Sequence, residues 1–175
     1  MGADLPIMAY IVAHATVLES TLRARSLAEP ALYLPGFVPF RLNRLAAELS
    51  NHLSEIYRAR FGLEIPEWRV VATVGSEHGC TAQHIAASTR MHKTRVSRAI
   101  ANLAKRGLIE RASNSGDRRE MQLRLTRAGR RLYSELVPLA LERERAVLAC
   151  MSRDQLRGFV AGLDCLEEFL GLKMQ

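Results

Sequence analysis

Cys80-Thr-Ala-Gln-His-Ile-Ala-Ala-Ser-Thr-Arg90-Met-His-Lys-Thr-Arg95-Val-Ser-Arg-Ala-Ile100-Ala-Asn-Leu-Ala-Lys-Arg-Gly107, continued by Leu108-Ile-Glu-Arg-Ala-Ser-Asn-Ser-Gly116-Asp-Arg-Arg-Glu120-Met-Gln-Leu-Arg-Leu125-Thr-Arg-Ala-Gly129, reads as helix, turn, helix and hairpin. Thr81 is a natural N-cap for the first helix. In the second, Val96, Ile100 and Leu103 form one apolar stripe, and Gly107 supplies the left-handed stop. Its other face carries Thr94, Arg95, Arg98 and Asn102, with Lys93 and Thr94 in the first turn. Leu108 to Arg111 reads as a strand, Ala112 to Gly116 as a turn, and Glu120 to Leu125 as the return strand. There Met121, Leu123 and Leu125 alternate with Gln122 and Arg124. Asp117, Arg118 and Arg119 then fall at the hairpin tip.

Charge follows the same boundaries. Between Thr81 and Arg131 lie 13 of the 25 basic residues and only three acids, a net +10, while the remainder is net −3. A cationic excess confined to one compact unit is what binding a polyanion requires. A narrow helix with short polar side chains and arginines outward suits a major groove about 12 Å wide. Loop-tip arginines suit a minor groove, where Asp117 could orient Arg119. A solvated basic face and an ordinary surface ion pair are the competing readings.

Together, the basic helix, Asp117-x-Arg119 and Leu123-x-Leu125-Thr126-x-x-Gly129 resemble the winged helix-turn-helix of the MarR (multiple antibiotic resistance regulator) family of bacterial transcription factors. The resemblance spans roughly residues 37 to 171. One departure is His92, where relatives often have Asp. The fold expected is mainly α with a small β-hairpin wing, and one compact domain overall. It comprises a helical arm over 1–36, dimerisation helices over 37–62 and 127–171, and a DNA-binding unit over 63–126. Expected DNA contacts are Thr81, Lys93, Thr94, Arg95, Ser97 and Arg98, with Asp117, Arg118 and Arg119 from the wing. Homodimers with two reading helices about 34 Å apart imply an inverted-repeat operator.

The family resemblance also implies an effector pocket, for which Phe37, Phe40, Arg41, Arg44, His52 and Trp68 are the candidates. Aromatic walls with a cation would suit an aromatic carboxylate or its CoA thioester. The alternative makes the aromatics core and the arginines solvated. Leu34-Pro-Gly-Phe-x-Pro-Phe-Arg41 and Lys93-Thr-Arg-Val-Ser-Arg98 look like the branch governing catabolism of plant phenolic acids. That implies a hydroxycinnamate or hydroxycinnamoyl-CoA effector and a repressor.

At 175 residues, with 48% hydrophobic and 25% charged residues, the chain can bury a real core. The apolar run Leu5 to Leu18 lacks a basic start and is too short to span a bilayer. Cys80, Cys150 and Cys165, odd in number and irregular in spacing, point to a reducing bacterial cytoplasm. Cys80, at a helix start, is expected to be the more reactive thiol, and Cys150 and Cys165 to be core or interface. Glu77, His78, Cys80 and His84 match no zinc spacing. No nucleophile elbow, phosphate loop or nucleotide fingerprint appears, so no enzyme and no cofactor are expected. Thiol- or metal-responsive sensing and effector-independent DNA binding remain the alternatives.

The flanking elements follow from periodicity. Helices are expected over 8–26 and from Pro39 to Phe61, the latter with Leu42, Leu45, Leu49, Leu53, Ile56 and Arg60 on one stripe and closed by Gly62. The segment Leu27 to Pro39, with its prolines, cannot continue a helix. Pro66 starts the next helix, which faces Trp68, Val71 and Val74 inward before Gly75, and Ser76 to Gly79 reads as a loop. A long helix from Thr126, bent at Pro138, precedes a last helix opened by a Ser152–Gln155 capping box. Leu156, Phe159, Val160, Leu163, Leu166, Phe169 and Leu170 make that helix too apolar to face solvent, and a second copy is the expected cover.

Overall fold

The computed structural model describes residues 31–113 and 121–172. The expected helix over 8–26 therefore lies outside the described residues. The chain divides into two compact units, Met1–Ala46 and Ala47–Gln175. In the first, Pro35 sits in a 3-10 turn, Leu34–Gly36, before helix α1, Val38–Phe61, begins. Here Phe37, Val38, Leu42 and Leu45 are exposed.

In the second unit, Tyr57 of α1 is only 2% exposed. The stripe runs through Leu53, Ile56, Tyr57 and Phe61, and Arg60, expected on it, is exposed instead. Gly62, at φ +58, turns the chain as the closing residue must. Helix α2, Ile65–Ser76, opens with Pro66 and a capping box in which Glu64 and Glu67 each accept from the other's end of the turn. Val70, Val71 and Val74 are buried, and Trp68, partly buried, stacks on Tyr57 with ring centroids 5.0 Å apart. Burying each such aliphatic side chain contributes about 1.5–3 kcal/mol.

Helix α2 runs through Gly75 and includes Ser76, the first residue of the expected loop. A Cβ at Gly75 would lie 2.6 Å from the Tyr133 ring. The glycine serves close packing.

Strand β1, Cys80–Thr81, leads into helices α3, Ala82–Thr89, and α4, Lys93–Lys105. Strands β2, Ile109–Ser113, and β3, Met121–Leu125, form the hairpin. The expected two strands are joined by a third: the sheet is antiparallel with order β1-β3-β2 and pairs Cys80 with Leu123 and Ile109 with Leu125. Ile85, Val96, Ile100, Leu103, Leu123 and Leu125 close the core between helices and sheet.

Helix α5, Arg127–Leu148, continues through Pro138 and buries Leu136 completely. Helix α6, Arg153–Phe169, carries the Ser152–Gln155 capping box. Its Val160, Leu166 and Phe169 are exposed, as is Leu170 beyond it. Among the described residues no helix is long and apolar enough to cross a membrane.

Candidate nucleic-acid interface

Helix α4 divides cleanly by face. Val96, Ala99, Ile100 and Leu103 are buried, whereas Lys93, Thr94, Arg95, Ser97, Arg98 and Asn102 are exposed. Lys93, Arg95 and Arg98 have no hydrogen-bonded or ionic side-chain partner among the described residues. Their charge is thus available to an external anion. His92 is the N-cap, its Nδ1 accepting from the Thr94 N–H at 3.3 Å. A ring nitrogen thus fills the acceptor role that Ser, Thr, Asp or Asn more often plays at a helix start.

The turn before α4 passes through Arg90, held at φ 54. That left-handed geometry, unusual for a residue with a Cβ, lets α3 end and α4 begin within three residues. Thr81 caps α3 by accepting from the His84 N–H at 3.1 Å, so its hydroxyl has a structural task. Between α4 and the sheet lies a cleft of about 520 Å³, with Lys93, Ser97, Gln83 and Arg111 among its polar walls and Val96, Ile100 and Leu123 among its apolar ones. Helix and hairpin therefore share one concave, basic-rimmed surface. Asp117, Arg118 and Arg119 lie outside the described residues.

Three of the basic residues counted in the cationic segment are structural. Arg106 donates to the carbonyls of Phe61 and Gly62, at 2.6 and 2.9 Å. Arg130 donates to the Leu125 carbonyl at 2.6 Å. Arg124 lies alongside Gly79 and reaches Gln122 at 3.4 Å. Composition alone could not separate these from the free cations.

The Leu-Thr-x-x-Gly pattern has a mechanical origin. Thr126 Oγ1 accepts from the Gly129 N–H at 3.0 Å and donates to the Gly107 carbonyl at 2.6 Å. The Thr126 N–H donates to the Leu108 carbonyl at 3.1 Å. Gly129 passes directly over that same carbonyl.

The effector candidates fall on both units, and each is described on its own. In the first, Phe37, Arg41 and Arg44 are exposed, Phe40 is half-buried, and the Arg44 guanidinium lies 5.7 Å from the Phe40 ring centroid. In the second, His52 is exposed with Nε2 3.5 Å from Arg143, and Trp68 presents one face to Tyr57.

The cysteine expectation is corrected. Cys80 is buried, and burial, with the nearby Glu77 carboxylate, pushes its thiol up to about 11. Strand pairing draws it into the core before the helix start can act on it. Cys150 and Cys165 are exposed on the chain, so neither is core. His84 Nε2 lies 3.3 Å from Glu77 but out of line for a hydrogen bond. Among the described residues no group of three His, Cys, Asp or Glu side chains could hold a metal.

A family model described as the MarR family matches residues 61–120. No curated protein matches the chain. The fold superimposes on a MarR/EmrR family transcriptional regulator from Acinetobacter sp. ADP1 with TM-score 0.72 and 26% identity, covering 81% of this chain and 100% of that one. A putative MarR family regulator from Listeria monocytogenes, complexed with a 26mer DNA, gives TM-score 0.67 and 18% identity over 74% of this chain and 86% of that one. NadR, in complex with 4-hydroxyphenylacetate, gives 0.68 and 21% over 83% and 100%. The family model thus covers the helix-turn-helix and part of the hairpin, and the superposition shows that the chain shares its winged-helix fold with regulators of that family.

Proposed function

We propose that the chain is a homodimeric, ligand-responsive DNA-binding regulator that reads the major groove through α4. The observation that carries this reading is the exposed set Lys93, Thr94, Arg95, Ser97 and Arg98 on one helix face, opposite a fully packed one. Arg95 can pair bidentately with guanine, and Lys93 and Arg98 can meet flanking phosphates. Thr81 contributes by fixing the start of α3. Arg119, steadied by Asp117, enters the minor groove, and Arg118 holds phosphate.

The second copy covers the N- and C-terminal helices, where Val160, Leu166, Phe169 and Leu170 are exposed. Such a dimer places two reading helices on one face of an inverted repeat. The effector is an aromatic acid of the hydroxycinnamate class, or its CoA thioester, for which Phe37, Phe40, Arg41 and Arg44 of the first unit offer rings and cations. Its support is the pairing of the Phe40 ring with Arg44 and the aromatic acid named in the NadR complex. Binding one spacing of the two reading units more tightly than the other, it releases DNA and relieves repression of an aromatic catabolic operon.

The test is enrichment of duplexes from a random library, followed by gel shifts with phenolic acids and their CoA thioesters. Recovery of an inverted repeat, released by one of these compounds, is the expected result. Enrichment of no sequence would leave a non-specific DNA binder, and release by peroxide or chelator alone would favour a thiol or metal sensor.

A further inference from the structure

Arg106 is an exposed residue in the most cationic part of the chain, yet its guanidinium is already engaged within the protein. It is the C-cap residue of α4, and its guanidinium reaches the carbonyls of Phe61 and Gly62 at the end of α1, more than forty positions away in sequence. Free carbonyls at a helix C-terminus carry partial negative charge, so a cation is favoured there electrostatically as well as by hydrogen bonding. The acceptors are themselves fixed. Gly62 holds φ +58, the Leu63 N–H donates to the Tyr57 carbonyl at 3.0 Å, and Leu63 is fully buried. Direct packing between α1 and α4 is otherwise sparse.

We infer that Arg106 is a positioning residue: its two-pronged bond to Phe61 and Gly62 ties the distal end of the reading helix to α1 and sets the inclination of that helix. A planar guanidinium can serve two neighbouring carbonyls at once, which a lysine ammonium on a single stem does less well. Any displacement of the end of α1 is then delivered to α4 through one side chain. The consequence for DNA rests on the proposed dimeric reader, in which helix inclination fixes the half-site spacing that can be bound.

The experiment uses the full chain as wild type, Arg106→Lys and Arg106→Ala. Hydrogen exchange is followed at Gly62 and Leu63 and at Arg106 to Leu108, and duplexes are selected from a library of inverted repeats with randomised half-site spacing. In Arg106→Ala, both backbone segments should exchange about tenfold faster, as expected for losing two charge-assisted bonds. The enriched spacings should broaden from the single wild-type value, with Arg106→Lys intermediate. The salt dependence of binding should keep its wild-type slope, whereas losing a phosphate-contacting cation lowers it by about 0.9. Unchanged exchange in either segment overturns the tie. Faster exchange with unaltered spacing overturns the positioning role, and a lowered salt slope makes Arg106 a phosphate contact instead. If wild type enriches no duplex, the DNA-reading proposal fails, and the exchange result still decides the tie.

Discussion

The carbonyl of Leu108 lies so close beneath Gly129 that no side chain fits between them. The obstacle is backbone against backbone, and neither side can rotate away. Gly129→Ala should therefore cost about 3 kcal/mol or more, at the upper end for overpacking, and lower Tm by about 6–12 °C. A thermal melt followed by circular dichroism measures this directly. A melting temperature unchanged from wild type would mean that the first turn of α5 is not seated as described.

Thiol reactivity should invert the order suggested by helix position. Cys150 and Cys165 are exposed, whereas Cys80 is buried with its thiol pushed up to about 11 by burial and then by Glu77. Iodoacetamide at pH 8, read by peptide mass spectrometry, should alkylate Cys150 and spare Cys80 while the protein stays folded. Early modification of Cys80 would contradict its packing against β3.

Alkaline pH should destabilise the protein in two overlapping windows. Burial raises Tyr57 from 10.0 to about 12, opposed in part by Arg69, and raises Cys80 from 9.0 to about 11. Both groups ionise more readily in the unfolded chain, so the native advantage present below the unfolded values is lost as pH rises through them. Stability should start to fall near pH 9 through Cys80 and continue through Tyr57 towards pH 12. Each full pH unit of difference corresponds to about 1.4 kcal/mol at most. Urea melts across this range should show the slope, and a Tyr57→Phe variant should remove the later part of it.

His92 caps α4 through Nδ1, a role with a modest energy. His92→Ala should cost about 0.5–1 kcal/mol, and His92→Asp should recover or exceed wild type, because Asp both accepts the bond and complements the helix dipole. Urea denaturation at neutral pH gives the comparison. Equal stability of all three proteins would show that the cap contributes nothing.

The proposed DNA contacts are of two kinds that binding measurements should separate. Arg95→Ala should cost about 1–3 kcal/mol on the selected duplex and relax its sequence preference. Arg118→Ala should weaken binding to all duplexes alike and reduce the salt slope by about one. Fluorescence anisotropy on selected and scrambled duplexes distinguishes them, and preserved sequence preference in Arg95→Ala would remove that residue from base reading.

The helix-turn-helix was legible because Val96, Ile100 and Leu103 repeat at helical spacing and Gly107 stops the helix where it must. Caps at Thr81 and Ser152 were equally plain, since the side chain that forms each bond is local. What escaped reading depends on neighbours distant in sequence. The packing task of Gly75 was hidden because nothing nearby reveals Tyr133, and β1 is too short to show alternation. Arg106 was counted with the free cations because its carbonyl partners lie on another helix. The exposed face of α4 was visible in the sequence, whereas its partition from structural arginines was not.

Thr126 bonds forward to Gly129 and sideways to Gly107, while its own amide grips the oxygen over which Gly129 passes. The hairpin base, the end of the reading helix and the root of α5 are thus bonded together at one point. Torque applied along α5 is passed to the head through that point, and a relative's reading specificity can be grafted only as a block that carries this junction with it.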